Sequence, residues 1–309
     1  MTPAHLGLAL IVNMAWGYAF VAAKLGVQNY PPIFFTALRW AVVGVLLAYF
    51  LRTPRGQVKL LIGISLTMGA LHYALMYTGF SLSGDVASVA IVVQLSVPFT
   101  TIMGVMFLGE RIGWRRVAAI SIALAGVVVI GFDPVVFEHM TALILVALSA
   151  AMFAAGSILI NRAKGLSTWS IQAWMAVLSA PQLLVLSLIF EEGQWEALVN
   201  PNPVGLWALF YAVVGTSFVG LGGWYYLLQR YPVSTIAPVG LLTPVLGVVA
   251  GVVFMDDALS PELIIGGALT LAGVGFIIVR VSRLSKRRPD KTPEAPAEGG
   301  PERLGGGAG

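Results

Sequence analysis

Ten long apolar segments are the feature that most constrains what this 309-residue chain can fold into. They cover residues 5–26, 32–51, 59–80, 85–108, 114–131, 141–160, 169–190, 205–228, 233–255 and 261–280. At a helical rise of about 1.5 Å per residue, each can cross about 30 Å of hydrocarbon. The segments are apolar on all sides and do not alternate in polarity as barrel strands do. We therefore predict an all-α polytopic membrane protein with ten transmembrane helices, numbered here as spans 1 to 10.

The overall composition excludes several other classes of protein. The chain is 58% hydrophobic and 10% charged, whereas soluble domains are about 25% charged. This rules out a soluble domain and a disordered chain. The absence of cysteine rules out a disulfide scaffold and thiolate metal sites, and three histidines make a histidine cluster improbable. We therefore expect no metal and no other cofactor.

The basic residues predict the orientation of the spans. If span 1 leaves the cytoplasm, 16 of the 18 Lys and Arg residues lie in cytoplasmic loops, at the cytoplasmic ends of spans or in the C-terminal segment, and none lies in an outer loop. This distribution follows the positive-inside rule. It predicts a multi-pass protein of the plasma (inner) membrane with both termini in the cytoplasm. The net charge of +4 is then a topology signal, and we expect no nucleic-acid partner.

The two halves of the chain resemble each other. The sequence SVAIVVQLSVP at 88–98 corresponds to STIAPVGLLTP at 234–244, and Leu-Ala-Gly recurs at 124–126 and 271–273. This divides the chain into a first unit (1–131), a second unit (132–280) and a Pro-, Gly- and charge-rich tail (281–309) that we expect to be disordered. Because each unit holds five spans, an odd number, the second must be inverted relative to the first. Inverted repeats are typical of secondary transporters.

Several motifs occur in a recognisable order and spacing. They are Trp16-Gly17, Phe20, Arg39, Pro98, Leu108-Gly109-Glu110-Arg111, Gly126, Pro244, Asp256-Asp257-Ala258-Leu259-Ser260, Gly266 and Gly273. With them, the chain resembles the drug/metabolite transporter superfamily, in its EamA-type branch. The resemblance implies two five-helix units around a central cavity that exports small metabolites. It is greatest to exporters of amino acids, including aromatic ones.

The second unit departs from this pattern in one place. It has Met255-Asp256-Asp257 where Gly-Glu-Arg would repeat, so the resemblance implies no role for these residues.

Lys24 and Arg39 are the two basic residues that lie in predicted spans away from the cytoplasmic ends. Charged groups within a membrane are costly and are therefore candidates for function. Arg39 lies about 10 Å below the outer end of span 2, where it either binds a substrate carboxylate or ties helices together. Lys24 is in the last turn of span 1, where it either contributes to the site or extends to the lipid headgroups.

Polar and aromatic side chains share helix faces in several spans and suit an amphipathic ligand. The predicted substrate-binding residues are Asn13, Trp16, Phe20, Lys24, Arg39, His72, Tyr73, Gln94, Gln172, Ser179, Trp224 and Tyr225. The alternative for such groups is anchoring at the membrane interface or hydrogen bonding between helices. We prefer that alternative for Tyr77, Phe80 and Trp169, which lie near span ends.

Pro98 and Pro244 occupy matched positions inside spans 4 and 9. Each removes a backbone donor, so a kink there either bends the helix during gating or gives it a static curve.

No Asp or Glu lies deep in a span; Asp85 and Glu110 flank span 4. The scarcity of acids disfavours cationic cargo and favours zwitterions or anions. His72 is the one embedded group that titrates near neutral pH. We therefore expect a uniporter or exchanger, with a His72-dependent proton step as the alternative.

These observations together predict a secondary transporter that exports small zwitterionic or neutral metabolites by alternating access, amino acids including aromatic ones among them. The alternatives are a transporter of another small anionic metabolite and a channel. An intramembrane enzyme is disfavoured because the spans hold neither paired Asp residues nor a serine nucleophile with a partner base. The expected partners are a small-molecule substrate and membrane lipid, with the chain acting as a monomer or a homodimer.

Overall fold

The computed structural model describes residues 1–51, 56–83, 89, 92–109, 112–130, 140–236, 239–240, 242–255, 261, 264–266, 268–269 and 272–273. These residues form nine long helices and, in the described ranges, no β-strand. The helices are α1 (Pro3–Asn29), α2 (Pro32–Leu46), α3 (Val58–Leu82), α4 (Ser96–Leu108), α5 (Trp114–Ile130), α6 (Met140–Arg162), α7 (Thr168–Phe190), α8 (Pro203–Leu228) and α9 (Leu242–Met255). The described residues of predicted span 10 are also helical. The predicted tail, Asp85 and Glu110 lie outside the described residues.

Five of these helices, α1, α3, α6, α7 and α8, are long and apolar enough to cross a membrane. Large apolar side chains cover the outer surface, among them Val45 (78% exposed), Met106 (69%) and Leu188 (65%). Such a surface is unfavourable in water and fits contact with lipid. The prediction of an all-helical, multi-pass membrane protein is confirmed.

The helix boundaries follow local sequence chemistry. Thr2 caps α1 by accepting a hydrogen bond from the His5 backbone N–H at 3.3 Å, and Pro3 takes the first helical position. Ser167 caps α7 in the same way. Gly109, with φ of 65°, ends α4 in the left-handed conformation that glycine adopts without strain. Most of the helices in the structure begin and end within a few residues of the bounds of the predicted spans.

Two helices contain π-helical segments that the sequence did not predict. Residues Ser65–Leu71 of α3 and Ala212–Leu221 of α8 adopt this wider helix. π-Helical turns are uncommon and are frequent at functional sites. α3 and α8 are the third spans of the two predicted units, so the irregularity recurs at corresponding places.

The main helix contacts cross between the two predicted units. α1 packs against α8 and α9, and α6 packs against α3 and α4. α2 and α7 pack against each other. The first helix of each unit therefore lies against the third and fourth helices of the other unit.

Glu191, which follows α7, links the two predicted units at one end of the bundle. Its carboxylate accepts hydrogen bonds from the backbone N–H groups of Ile33 (2.6 Å) and Phe34 (2.9 Å), and from the Ser187 hydroxyl (2.7 Å). The first turn of α2 has unpaired N–H groups and a positive dipole end, so a carboxylate is a favourable cap there.

The α1–α9 contact is very close. A Cβ atom added at Gly17 would lie 2.7 Å from the Leu246 Cβ, inside van der Waals contact. On the preceding turn of α1, the Thr243 hydroxyl donates to the Asn13 Oδ1 at 2.7 Å. Glycine at this position therefore allows the two helices to approach.

Candidate functional site

A cavity of about 110 Å³ lies among α1, α3, α4, α6, α8 and α9. Six aromatic side chains line it: Trp16, Phe20, Tyr73, Tyr77, Phe153 and Trp224. Its polar lining comes from His72, Gln94, Ser96, Thr100, Thr216 and Thr243. Among the described side chains that line it there is no Asp, Glu, Lys or Arg. The site is therefore apolar and aromatic, with a few neutral hydrogen-bonding groups, as is typical of small-molecule pockets.

Three aromatic rings from three helices form one side of the cavity. The ring centroid of Trp16 lies 5.1 Å from that of Trp224 and 6.0 Å from that of Phe153, and the last two lie 6.1 Å apart. The Nε1–H of Trp224 is buried and has no hydrogen-bond partner among the described residues. A buried donor without a partner costs about 1–3 kcal/mol, so a ligand that carries an acceptor would relieve this cost.

Arg39 lies behind the cavity wall. It is fully buried, its Nε donates to the Ser217 Oγ at 2.8 Å, and its Nη2 donates to the Tyr73 hydroxyl at 3.1 Å. Its guanidinium carbon is 4.4 Å from the ring centroid of Tyr73 and 4.9 Å from that of Trp40. Because Tyr73 itself lines the cavity, the positive charge is one side chain away from it.

The charge on Arg39 is incompletely compensated. Its Nη1 is buried and has no hydrogen-bond partner, and no carboxylate is among its contacts in the described part of the chain. The surrounding groups are neutral hydroxyls and aromatic faces, which solvate a cation only in part. The arrangement therefore places a positive electrostatic potential behind the Tyr73 side of the cavity.

His72 is held in a defined orientation. Its Nδ1 is 3.1 Å from the Ser149 carbonyl oxygen and 2.8 Å from the Ser149 Oγ. Its ring packs against Tyr73 and Phe153 at centroid distances of 4.6 and 5.1 Å. The contact between α3 and α6 thus sets which edge of the imidazole faces the cavity.

Six of the predicted substrate-binding residues line this cavity. They are Trp16, Phe20, His72, Tyr73, Gln94 and Trp224. These residues lie on α1, α3, α8 and the 3₁₀ stretch before α4, so the fold brings together groups that the sequence identified separately.

The predicted residues of α7, Gln172 and Ser179, and Tyr225 of α8 lie in contacts between helices instead. Gln172 donates to the Ser217 carbonyl oxygen at 2.6 Å, and Ser179 donates to the Ser65 carbonyl oxygen at 3.2 Å. The Tyr225 hydroxyl contacts the Met175 sulfur at 3.1 Å. The polar face of α7 packs against α2, α3 and α8, so its hydrogen-bonding groups serve the packing of helices rather than the cavity wall.

Two candidates in α1 also lie away from the cavity wall. Asn13 is fully buried, where it donates to the Ala9 carbonyl oxygen at 2.6 Å and accepts from Thr243. Lys24 is half-buried near the C-terminal end of α1. One face of α1 thus includes residues that hold α9, residues that line the cavity, and a residue near the helix end.

Sequence reasoning missed several lining residues. Tyr77, which we had assigned to an interface or packing role, is 3% exposed and lines the cavity. Its position one turn after Tyr73 on the same face was the available signal. Phe153 and Thr216 carried no such signal, because their place depends on how α6 and α8 pack.

Pro98 and Pro244 lie in the first turns of α4 and α9 rather than in the middle of long helices. A short 3₁₀ stretch, Val93–Leu95, precedes the first, and residues 239–240 have the same form before the second. Proline lacks the backbone N–H that would bond the carbonyl four residues earlier, and each 3₁₀ stretch lies where that hydrogen bond is missing. The breaks before the prolines, which border the cavity, are the local irregularities.

Comparison with known proteins agrees with these features. A sequence profile of the EamA-like transporter family matches residues 4–132 and 140–279. The chain is 29% identical over 275 residues to a probable amino-acid metabolite efflux pump of Escherichia coli K12, covering 86% of this chain and 92% of that protein. A protein of the same description from Salmonella typhimurium LT2 is 27% identical, with coverage of 90% and 97%.

More distant similarities extend over most of the chain. A probable terminal-alkyne amino-acid exporter of Streptantibioticus cattleyicolor is 24% identical, covering 92% of this chain and 96% of that protein. A crystal structure with 20% sequence identity superposes with a TM-score of 0.74, covering 92% of this chain and 99% of the other. The last comparison shows that the fold is shared.

Proposed function

Because the chain belongs to the EamA-like transporter family, a family of transporters rather than enzymes, we propose that it exports amino acids, aromatic ones among them, through the cavity described above. The observation that carries the proposal is an aromatic cavity backed by a buried arginine without an acidic partner among its described contacts. The names of the bacterial relatives support the same cargo class.

The cavity has complementary surfaces for the two parts of such a cargo. The rings of Trp16, Phe153 and Trp224 offer apolar area and edge-to-face contacts to an aromatic or aliphatic side chain. The Tyr73 hydroxyl, with its oxygen bound to Arg39, can donate its proton to a carboxylate. In this proposal Arg39 acts through Tyr73: it orients the hydroxyl and supplies the positive potential.

The transport mechanism that we propose is alternating access between two inverted five-helix units of a ten-span protein. The reciprocal packing supports it: α1 of the first unit contacts α8 and α9, and α6 of the second contacts α3 and α4. The matching π-segments of α3 and α8 and the matching breaks before Pro98 and Pro244 support it as well. Related units in opposite senses can exchange conformations, which opens the cavity to either side in turn.

The charge distribution of the loops supports placing both termini in the cytoplasm, with the protein in the plasma (inner) membrane. Its partners in this proposal are the small-molecule cargo and lipid, without nucleic acid. The chain acts as a monomer or a homodimer.

Uptake into liposomes tests this function. Liposomes that contain the purified protein and an unlabelled aromatic amino acid should take up the same amino acid in radiolabelled form. The uptake should be saturable, and related amino acids should inhibit it. Empty liposomes are the control for leakage. No uptake above this control for any of the common amino acids would overturn the cargo assignment. Flux that rises linearly with concentration would instead indicate a channel, and uptake restricted to carboxylates without an amino group would indicate another anionic metabolite.

A further inference from the structure

The imidazole of His72 faces the cavity with one of its two nitrogens already engaged. Nδ1 lies 3.1 Å from the Ser149 carbonyl oxygen, and no described residue hydrogen-bonds Nε2. His72 is 4% exposed and is part of the cavity wall. Nε2 is therefore the nitrogen left for a ligand.

Ser149 determines which nitrogen carries the proton. A carbonyl oxygen can only accept, so Nδ1 must be the protonated nitrogen for the contact at 3.1 Å to be favourable. The Ser149 Oγ, at 2.8 Å, can accept from the same N–H. In a neutral imidazole the other nitrogen is then an acceptor with a free lone pair. Ser149 thus turns the cavity-facing edge of His72 into a hydrogen-bond acceptor.

The wall of the cavity offers a cargo ammonium group few other acceptors. No Asp or Glu is among the described side chains that line it. Trp224 contributes a donor, and the hydroxyl of Tyr73 accepts from Arg39 and has its proton available for a carboxylate. The Gln94 amide oxygen and the serine and threonine hydroxyls of the wall can accept, but they are weaker bases than imidazole. His72 Nε2 is therefore the strongest base among the described lining side chains that can accept a hydrogen bond from a cation.

The positions of His72 and Tyr73 match the geometry of an α-amino acid. Its ammonium and carboxylate groups are attached to one carbon, so the protein groups that bind them must be neighbours. The rings of His72 and Tyr73 are 4.6 Å apart between centroids, and one of them is backed by Arg39. An acceptor and a donor are thus held side by side, in the arrangement that a zwitterion requires.

We propose that Nε2 of His72 accepts an N–H of the cargo ammonium group, and that Ser149 is the positioning residue that fixes the required tautomer. This inference rests on the proposed function and specifies which part of the cargo His72 binds. It makes the amino group a determinant of specificity. A hydrogen bond to a charged group contributes about 1.5–3 kcal/mol, which corresponds to about 10–100-fold in affinity.

The test compares an aromatic amino acid with its desamino analogue, the 3-arylpropionate, as substrates in the liposome assay. For the wild type, we expect the KM of the analogue to be about 10–100 times that of the amino acid. His72→Phe keeps an aromatic ring but no nitrogen, and should bring the KM ratio close to one. His72→Gln can place an amide oxygen near the Nε2 position and should retain part of the discrimination. Ser149→Ala removes the hydroxyl but not the carbonyl, and should give an intermediate ratio.

His5 provides a matched control. It is a second histidine in the described part of the chain, and its Nδ1 contacts the Tyr231 hydroxyl at 2.7 Å, away from the cavity. His5→Phe should leave the KM ratio at its wild-type value. Gel filtration monitors whether each variant folds. If His72→Phe does not fold, the KM ratios of His72→Gln and Ser149→Ala test the inference in its place.

The outcomes separate this inference from the proposed function. If folded His72→Phe keeps the wild-type KM ratio, the role of His72 is overturned and amino-acid transport still stands. If His72→Phe does not fold, a wild-type KM ratio in both His72→Gln and Ser149→Ala has the same meaning. Cargo-coupled proton movement that is lost in His72→Phe while the ratio stays unchanged would make His72 a proton carrier and also overturn the inference. Absence of any amino-acid uptake by the wild type would overturn the proposed function itself.

Discussion

Replacement of Arg39 by methionine should separate transport from folding. The guanidinium is fully buried, its Nη1 has no hydrogen-bond partner among the described residues, and its Nε and Nη2 donate to neutral hydroxyls. Burying a cation in this way is costly, and apolar replacements of buried charges are often neutral or stabilising. Methionine has a similar length and no charge. We therefore expect the free energy of unfolding of Arg39→Met to stay within about 2 kcal/mol of wild type.

Transport should respond very differently. Without the guanidinium, the Tyr73 hydroxyl loses the group that orients it, and the cavity loses its nearby positive charge. If a cargo carboxylate depends on this pair, the loss of one charge-assisted interaction of about 1.5–3 kcal/mol raises KM about 10–100-fold. Arg39→Ala is a less suitable variant because it also leaves a void, which costs about 2–5 kcal/mol by analogy with other large-to-small substitutions.

The assay is a paired measurement of thermal unfolding in detergent and amino-acid KM in liposomes. Arg39→Lys keeps the charge without the planar fork and should give a KM between those of wild type and Arg39→Met. A folded Arg39→Met protein with wild-type KM would refute the role in cargo binding. A large fall in melting temperature, with KM unchanged in the protein that remains folded, would show that Arg39 serves to hold helices together.

Three further changes probe the packing around the cavity. Gly17→Ala should destabilise the protein by about 1–3 kcal/mol because the added Cβ clashes with α9. Gly7→Ala is the control, since Gly7 lies in open space on the same helix and its replacement should not destabilise the protein. Equal melting temperatures of the two variants would contradict the close contact. Gly220→Ala places a Cβ against the Trp16 Nε1, so the indole must move. The KM for bulky cargo should then change more than the KM for small cargo, and parallel changes would contradict this. Glu191→Ala removes the cap on α2 and should lower stability by about 0.5–2 kcal/mol, with an unchanged melting temperature as the contrary result.

The all-helical membrane fold could be predicted from the sequence because long apolar segments have no stable alternative in lipid. The breaks before Pro98 and Pro244 were only partly predictable: the prolines marked the places, but the sequence did not show that a short 3₁₀ stretch would precede each one. The π-segments of α3 and α8 gave no sequence signal, since their wider turns depend on neighbouring helices.

The site was predicted unevenly for a physical reason. Trp16, His72 and Trp224 were found because large or polar groups on an apolar helix stand out. Gln172 stood out equally, yet it hydrogen-bonds Ser217 within a helix contact. The residue types are alike in both cases, and only the packing partner of each helix face distinguishes a cavity wall from a helix contact.

Cysteine protection tests most directly whether the cavity holds the cargo, and the absence of native cysteine makes the labelling specific. Thr216→Cys places a thiol in the cavity wall, and Ser81→Cys places one near the C-terminal end of α3, outside the cavity. The rate of alkylation by a small thiol reagent is measured with and without saturating aromatic amino acid. We expect the amino acid to slow labelling at position 216 and not at position 81. Equal labelling rates at position 216 with and without an amino acid that this variant transports would contradict the account.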